Sequence, residues 1–80
     1  MATVFFSSEL QRFTGLENHV TTKSSYREVI NELLECYPRL AESGITEMAI
    51  AIDGEIVHEP LLENIPESSD IHFFPFISGG

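Results

Sequence analysis

Apolar positions along the chain recur at two different spacings, and each spacing marks its own kind of element. Behind Ser25, the residues Tyr26, Val29, Ile30, Leu33, Leu34 and Tyr37 follow one another in steps of three and four. At about 100° per residue they fall on one helix face, and Arg27, Glu28, Asn31, Glu32 and Glu35 take the other. Ser25-Tyr26-Arg27-Glu28 has the form of a capping box, in which hydroxyl and carboxylate each satisfy a free backbone donor. Pro38 ends the element by pushing the residue before it out of the helical region. The spacing predicts one amphipathic helix of about three turns.

Elsewhere the pattern is that of strands. Val4, Phe5 and Phe6, after Thr3, form a β-branched and aromatic run that stops at Ser7 and Ser8. The chain then loops through Thr14 and Gly15 to a brief β-prone run, His19 to Thr22, which predicts an N-terminal hairpin with a long connection. Met48 to Ile52 alternates larger with smaller apolar residues, Asp53-Gly54 is the dipeptide that most favours a tight hairpin turn, and Glu55 to His58 returns. Pro60 and Pro66 bracket a linker containing Leu61, Leu62 and Ile65, read as an irregular turn covering one edge of the sheet. Asp70 to Phe76 is the last strand, in which Pro75, having no N–H, requires a strand end or an edge position. The class is α+β: a mixed sheet of four or five strands with one main helix packed on one face, which is the β-grasp arrangement.

Length confines this to one domain, because a core of 80 residues removes only roughly 60–65% of the unfolded surface from water. So small an interior encloses few polar groups, which favours a binding or carrier role over catalysis. Hydrophobic residues make up 42% of the chain, enough for collapse. Thirteen acidic residues against four basic ones give a net charge of −9, which repels nucleic acid and anionic membranes. Such a field steers encounter with a basic protein surface, and it also serves solubility. The single Cys36 has no internal disulfide partner, and MATVFFSSEL lacks the basic start and apolar run of a signal peptide, so a cytoplasmic location is expected. No run approaches the ~18 apolar residues that would span a bilayer.

Few side chains invite a catalytic reading. His19, His58 and His72 are widely spaced, fall on different strands and lack the spacing of a metal set, so no metal site is expected and exposed strand positions are. Cys36 borders the apolar stripe as a small hydrophobe, with Glu32 and Glu35 disfavouring a thiolate. Glu28, Glu32 and Glu35 read as a solvated helix face, and Lys23, the sole lysine, has no evident charge partner.

The chain ends in Ile77-Ser78-Gly79-Gly80. Two glycines in a row hold no fixed conformation by themselves and can enter a channel too narrow for any side chain, so with the α-carboxylate they make a substrate arm. IAIDGEIVHEPL, followed by SSDIHFFPFISGG, resembles the C-terminal half of the small ubiquitin-fold sulfur carriers of molybdopterin and thiamine biosynthesis, and VFFSSELQRFTG resembles their first strand and loop. The likeness covers the whole chain and is nearest to the molybdopterin synthase small subunit, whose tail FFPFISGG resembles. Phe76 stands where a second proline is common in that family, and Glu67-Ser68-Ser69-Asp70 replaces its usual glycine-aspartate turn.

The resemblance implies a β-grasp domain over residues 1–76 and a flexible tail over 77–80. It implies that a ubiquitin-activating-type adenylyltransferase uses ATP to adenylate the Gly80 carboxylate. Sulfur then displaces AMP to leave a thiocarboxylate, and Gly79 keeps the approach free of side chains. The chain itself would bind no cofactor. A larger synthase subunit, or another acceptor enzyme feeding thiazole, cysteine, siderophore or tRNA products, would take the sulfur. Joining of Gly80 to lysines of target proteins is the alternative, and a stand-alone interaction domain with an incidental tail is a third reading. Strand alternation places Met48, Ile50, Ile52, Ile71 and Phe73 toward the helix. It leaves Ala49, Ala51, His72, Phe74 and Phe76 on the open side. Phe74, Phe76, Ile77, Ser78, Ala49 and Ala51 are the expected partner contacts, unless the phenylalanines fold under the 60s linker.

Overall fold

The computed structural model describes residues 1–74. Its strands are β1 (Ala2–Phe5), β2 (Asn18–Thr21), β3 (Ala49–Ile52), β4 (Glu55–Val57) and β5 (Asp70–Phe74). Helix α1 (Ser8–Thr14) follows β1, helix α2 (Tyr26–Cys36) follows β2, and short 3-10 turns occupy Pro38–Ser43, Ile45–Glu47 and Pro60–Leu62. The sheet has five strands in the order β2-β1-β5-β3-β4. β1 and β5 run parallel, and the other neighbours are antiparallel. β5 is therefore central, which removes the edge alternative for the last strand; Pro75 and Phe76 lie outside the described residues.

Local chemistry explains the start and stop of α2. The Glu28 N–H donates to Ser25 Oγ at 3.3 Å while the Ser25 hydroxyl donates to Glu28 Oε1 at 2.9 Å, so the carboxylate holds the capping hydroxyl rather than a backbone donor. Tyr26, Val29, Ile30 and Leu33 are buried on the predicted face, with Leu34 and Tyr37 packed at its margin. The segment bracketed by Pro60 and Pro66 was expected over a sheet edge, but it docks on the first turn of α2 instead. Glu63 O accepts from Tyr26 N at 3.0 Å and the Ile65 N–H donates to Ser24 O at 2.8 Å. The helix start has unpaired N–H groups, and this segment satisfies one of them.

Residues 8–14, read from sequence as part of a loop, form α1. Ser7 caps it by accepting from Leu10 N at 3.4 Å, and Gly15, at φ 73°, stops it in the left-handed conformation that glycine adopts without strain. Leu10 is fully buried, and Arg39 lies over the Phe13 ring at 5.7 Å, fastening α1 to the Pro38–Ser43 turn. A seven-residue helix spans under two turns and shows no periodicity to read, which is why only its caps could have announced it.

Asp53 and Gly54 take positive φ values of 50° and 88°, as a two-residue hairpin turn requires. Asp53 also fixes β5, since its N–H donates to Asp70 O at 2.9 Å and its Oδ1 accepts from Asp70 N at 2.8 Å. Between sheet and helices lies one core, including Val4, Phe6, Leu10, Leu33, Leu40, Ile45, Ile50, Ile71 and Phe73. Each such side chain contributes about 1.5–3 kcal/mol by leaving water.

Candidate functional site

With α2 against one side of the sheet, alternation turns every second strand residue outward. Val4 goes to the core, so Phe5 faces out; Phe5 pairs with His72, His72 with Ala51, and Ala51 with Ile56. These four residues form a row across β1, β5, β3 and β4. The His72 imidazole stacks on the Phe5 ring, with centroids 4.9 Å apart and planes 11° from parallel. Ile56 is 58% exposed at one end of the row, and Val20 of β2 is exposed on the same face. Phe74, half-buried, sits opposite Ala49 at the end of the described chain. The result is an apolar face with one imidazole in it, beside the point from which the chain continues toward Gly80. Contiguous, partly exposed apolar surface of this kind makes the face a candidate docking site.

Of the contacts expected from sequence, Phe74 and Ala51 lie on this face. Phe74 is on the side opposite Phe73, away from the 60s segment, which packs on α2. Ala49 is fully buried, contrary to expectation, and offers no surface of its own. Phe76, Ile77, Ser78, Gly79 and Gly80 lie outside the described residues. Phe5, Ile56 and Val20 were missed. The signal for them was available, because Phe5 follows a core valine and the Asp53-Gly54 turn sets the register that carries Ile56 outward.

On the other side of the sheet, His19 departs from the exposed position expected of it. Its Nε2 is 2.8 Å from Glu32 Oε2 and its Nδ1 is 3.0 Å from the Tyr37 hydroxyl. With Nε2 protonated, the ring donates to Glu32 and accepts from Tyr37, so the edge strand β2 is tied to α2 at two points. Glu32 is accordingly not a freely solvated helix-face carboxylate. Burial pushes its carboxyl up, but hydrogen bonds from His19 and Thr21, with the charges of His19 and Lys23, outweigh this and hold it below the ordinary value. Lys23 therefore does have a charge partner. Burial raises the Tyr37 phenol, with Cys36 and Glu32 adding to it. Cys36, expected at the border of the apolar stripe, is exposed. Among the described residues no three His, Cys, Asp or Glu side chains are grouped to hold a metal ion, and no helix is long and apolar enough to cross a membrane.

A five-stranded mixed sheet with parallel β1 and β5 at its centre, crossed by α2 on one face, defines a ubiquitin-like β-grasp protein. Solved structures superpose on it throughout. The solution structure of small archaeal modifier protein 1 from Methanosarcina acetivorans matches with a TM-score of 0.79 at 20% identity, over 99% of this chain and 95% of that one. The Amycolatopsis orientalis BexX/CysO complex contains a match with a TM-score of 0.81 at 16% identity over the whole of both chains. A putative molybdopterin converting factor subunit 1 from Pyrococcus furiosus matches at 0.71 and 16% identity, over 95% and 97%. Identities this low speak for the fold alone. A comparison with curated protein sequences finds no match. The family is carried by the sequence itself: the ThiS family matches residues 4–80, so the chain belongs to the ThiS family, among the ThiS/MoaD-like sulfur carriers.

Proposed function

We propose that the chain carries sulfur on its C-terminus. A ubiquitin-activating-type enzyme adenylates the Gly80 carboxylate with ATP, sulfur displaces AMP to give a thiocarboxylate, and an acceptor enzyme takes the sulfur. The observation that carries this is the reach of the family match, which runs through residue 80 and so includes Gly79 and Gly80. A carboxylate is a poor electrophile until it becomes a mixed anhydride with phosphate. The adenylate oxygen is then the leaving group when a sulfur nucleophile adds to the carbonyl carbon. A side chain beside that carbon would obstruct both steps, and glycine has none. The chain's own part is to dock: the Phe5–His72–Ala51–Ile56 row and Phe74 present an apolar face where the tail begins. The resemblance of the tail and the likeness to a molybdopterin converting factor subunit support a molybdopterin synthase as the acceptor.

Co-expression with an adenylating enzyme and a sulfur donor, followed by intact-mass measurement, should show a gain of one oxygen-to-sulfur exchange, located at Gly80. A residue appended after Gly80, or deletion of Gly79 and Gly80, should abolish it. Persistence of function in the deleted chain would assign the protein to the third reading, an interaction domain with an incidental tail. A second reading, conjugation of Gly80 to target lysines, is supported by the likeness to a small archaeal modifier protein. Gly-Gly remnants on lysines of other proteins, dependent on Gly80, would establish it.

A further inference from the structure

Leu61 and Leu62 stand 58% and 87% exposed, and Leu62 is the most exposed large apolar side chain among the described residues. With Tyr26, Thr46, Glu59 and Pro60 they line an open cleft of about 450 Å³ on the helix side of the sheet. The fold does not ask for them. The segment is anchored by buried Pro60 and Ile65 and by the hydrogen bonds of Glu63 O and Ile65 N to the start of α2. The two leucines are left over from that anchoring, and they point to something outside the chain.

Two features say what covers them. The first is position. β4 is an outer strand, and Ile56 at its centre belongs to the open face; the chain then turns through Glu59 and Pro60 to present Leu61 from the other side of the same edge. Thr46 in the cleft leads into β3, whose first residue, Ala49, pairs with Phe74. Thr46 lies in the Ile45–Glu47 turn three residues before Ala49, so at most about 10 Å of chain separates the cleft from the strand end where the tail begins. An interface of ordinary size, about 800 Å² per partner, covers both. The second feature is charge. Glu59 lines the cleft, Glu63 follows Leu62, and the whole chain carries −9. A second copy would bring the same carboxylates and the same net charge to the contact and be repelled.

We infer that Leu61 and Leu62 extend the docking face around the β4 edge. Their occupant is the adenylating enzyme, through an apolar surface bordered by lysine and arginine side chains. The inference rests on the carrier reading, in which such an enzyme activates Gly80. The partner thus holds the β4 edge from both sides, with Ile56 in one contact and the two leucines in the other.

The test is steady-state pyrophosphate exchange with full-length chain and the adenylating enzyme that activates it. Substituting Leu61→Ser and Leu62→Ser together should raise KM for the carrier at least about tenfold with kcat within about twofold, a loss of ~1.4 kcal/mol in binding. Glu59→Lys with Glu63→Lys should raise KM at low salt, the difference closing at high salt as the rim charges are screened. Both pairs are exposed, and circular dichroism with a thermal midpoint checks that each variant folds; if the leucine variant does not, the charge variant decides. An unchanged KM overturns the inference while adenylation of the unaltered chain leaves the carrier reading standing. Self-association of the unaltered chain through these leucines, seen by sedimentation, would assign the cleft to a second copy and overturn it as well. Failure of the unaltered chain to be adenylated removes the carrier reading and this inference together.

Discussion

Replacing His19 by alanine removes the tie between β2 and α2, and its cost follows from the interactions that the imidazole makes. The ring meets Glu32 at 2.8 Å and Tyr37 at 3.0 Å, and it stands edge-on to the Tyr37 ring with centroids 5.6 Å apart. A buried hydrogen bond to a charged group contributes about 1.5–3 kcal/mol net and a neutral one about 0.5–1.5. The His19 and Glu32 side chains retain 15% and 23% of their exposure, so water can replace part of this bonding in the variant. The low end of each, with about 0.5 kcal/mol for the ring contact, comes to about 2.5 kcal/mol, and with water replacing part of it His19→Ala should cost about 2 kcal/mol. In a domain of this size that lowers the melting temperature by roughly 8–15 °C. Urea denaturation at pH 7 followed by circular dichroism gives the free energy directly. His19 faces α2, away from the apolar row, so the variant should be adenylated with unaltered KM at temperatures where it is folded. A destabilisation below about 0.5 kcal/mol, the range of an ordinary surface substitution, would refute the assignment of His19 as a structural tie.

Three further outcomes can be checked. Glu32 has a carboxyl depressed below its ordinary 4.5, so its contribution to stability is complete above that value and is lost as pH falls through the folded value. Glu32→Gln should therefore be less stable than the parent at pH 7 and converge with it in acid, measured by denaturation across pH; a gap that widens in acid would contradict this. Tyr26→Phe should leave stability unchanged or raise it by up to about 1 kcal/mol, because the Tyr26 hydroxyl is buried without a hydrogen-bond partner. A clear drop in thermal denaturation would mean that the hydroxyl is satisfied. Ile56→Asp, at a position 58% exposed, should shift the melting temperature by only a few degrees yet raise KM for adenylation about tenfold. Equal KM values would take the open face out of the docking surface.

How legible each part was depended on how locally it is encoded. The helix from Tyr26 announced itself because its cap, its three-and-four spacing and Pro38 all lie within a dozen or so consecutive residues. The Asp53-Gly54 turn did so for the same reason, since two residues with positive φ settle a two-residue hairpin. α1 was hidden because seven residues carry too little periodicity to outvote a loop reading, although Ser7 and Gly15 were in plain view as caps. The open face of the sheet was half legible: Phe74 and Ala51 came from alternation within single strands. The row that joins Phe5, His72, Ala51 and Ile56 required the strand order. Ala49 shows the limit of alternation, which says which side a residue faces and nothing of what covers it.

What the sequence determined by itself is everything with a short range: the amphipathic helix, the hairpin turn, the apolar alternation of the strands, the acidic balance, and a terminus in Gly79-Gly80 matched as part of a ThiS family chain. What only the tertiary structure decided is which distant residues become neighbours. Parallel pairing of β1 with β5 stacks Phe5 on His72, and packing of α2 beneath β2 brings Glu32 to His19. Docking of the 60s segment on α2 leaves Leu61 and Leu62 in solvent. Local elements follow from a few adjacent dihedral and burial preferences. Their mutual arrangement is fixed by the single core that all of them share, and no window of sequence contains that core.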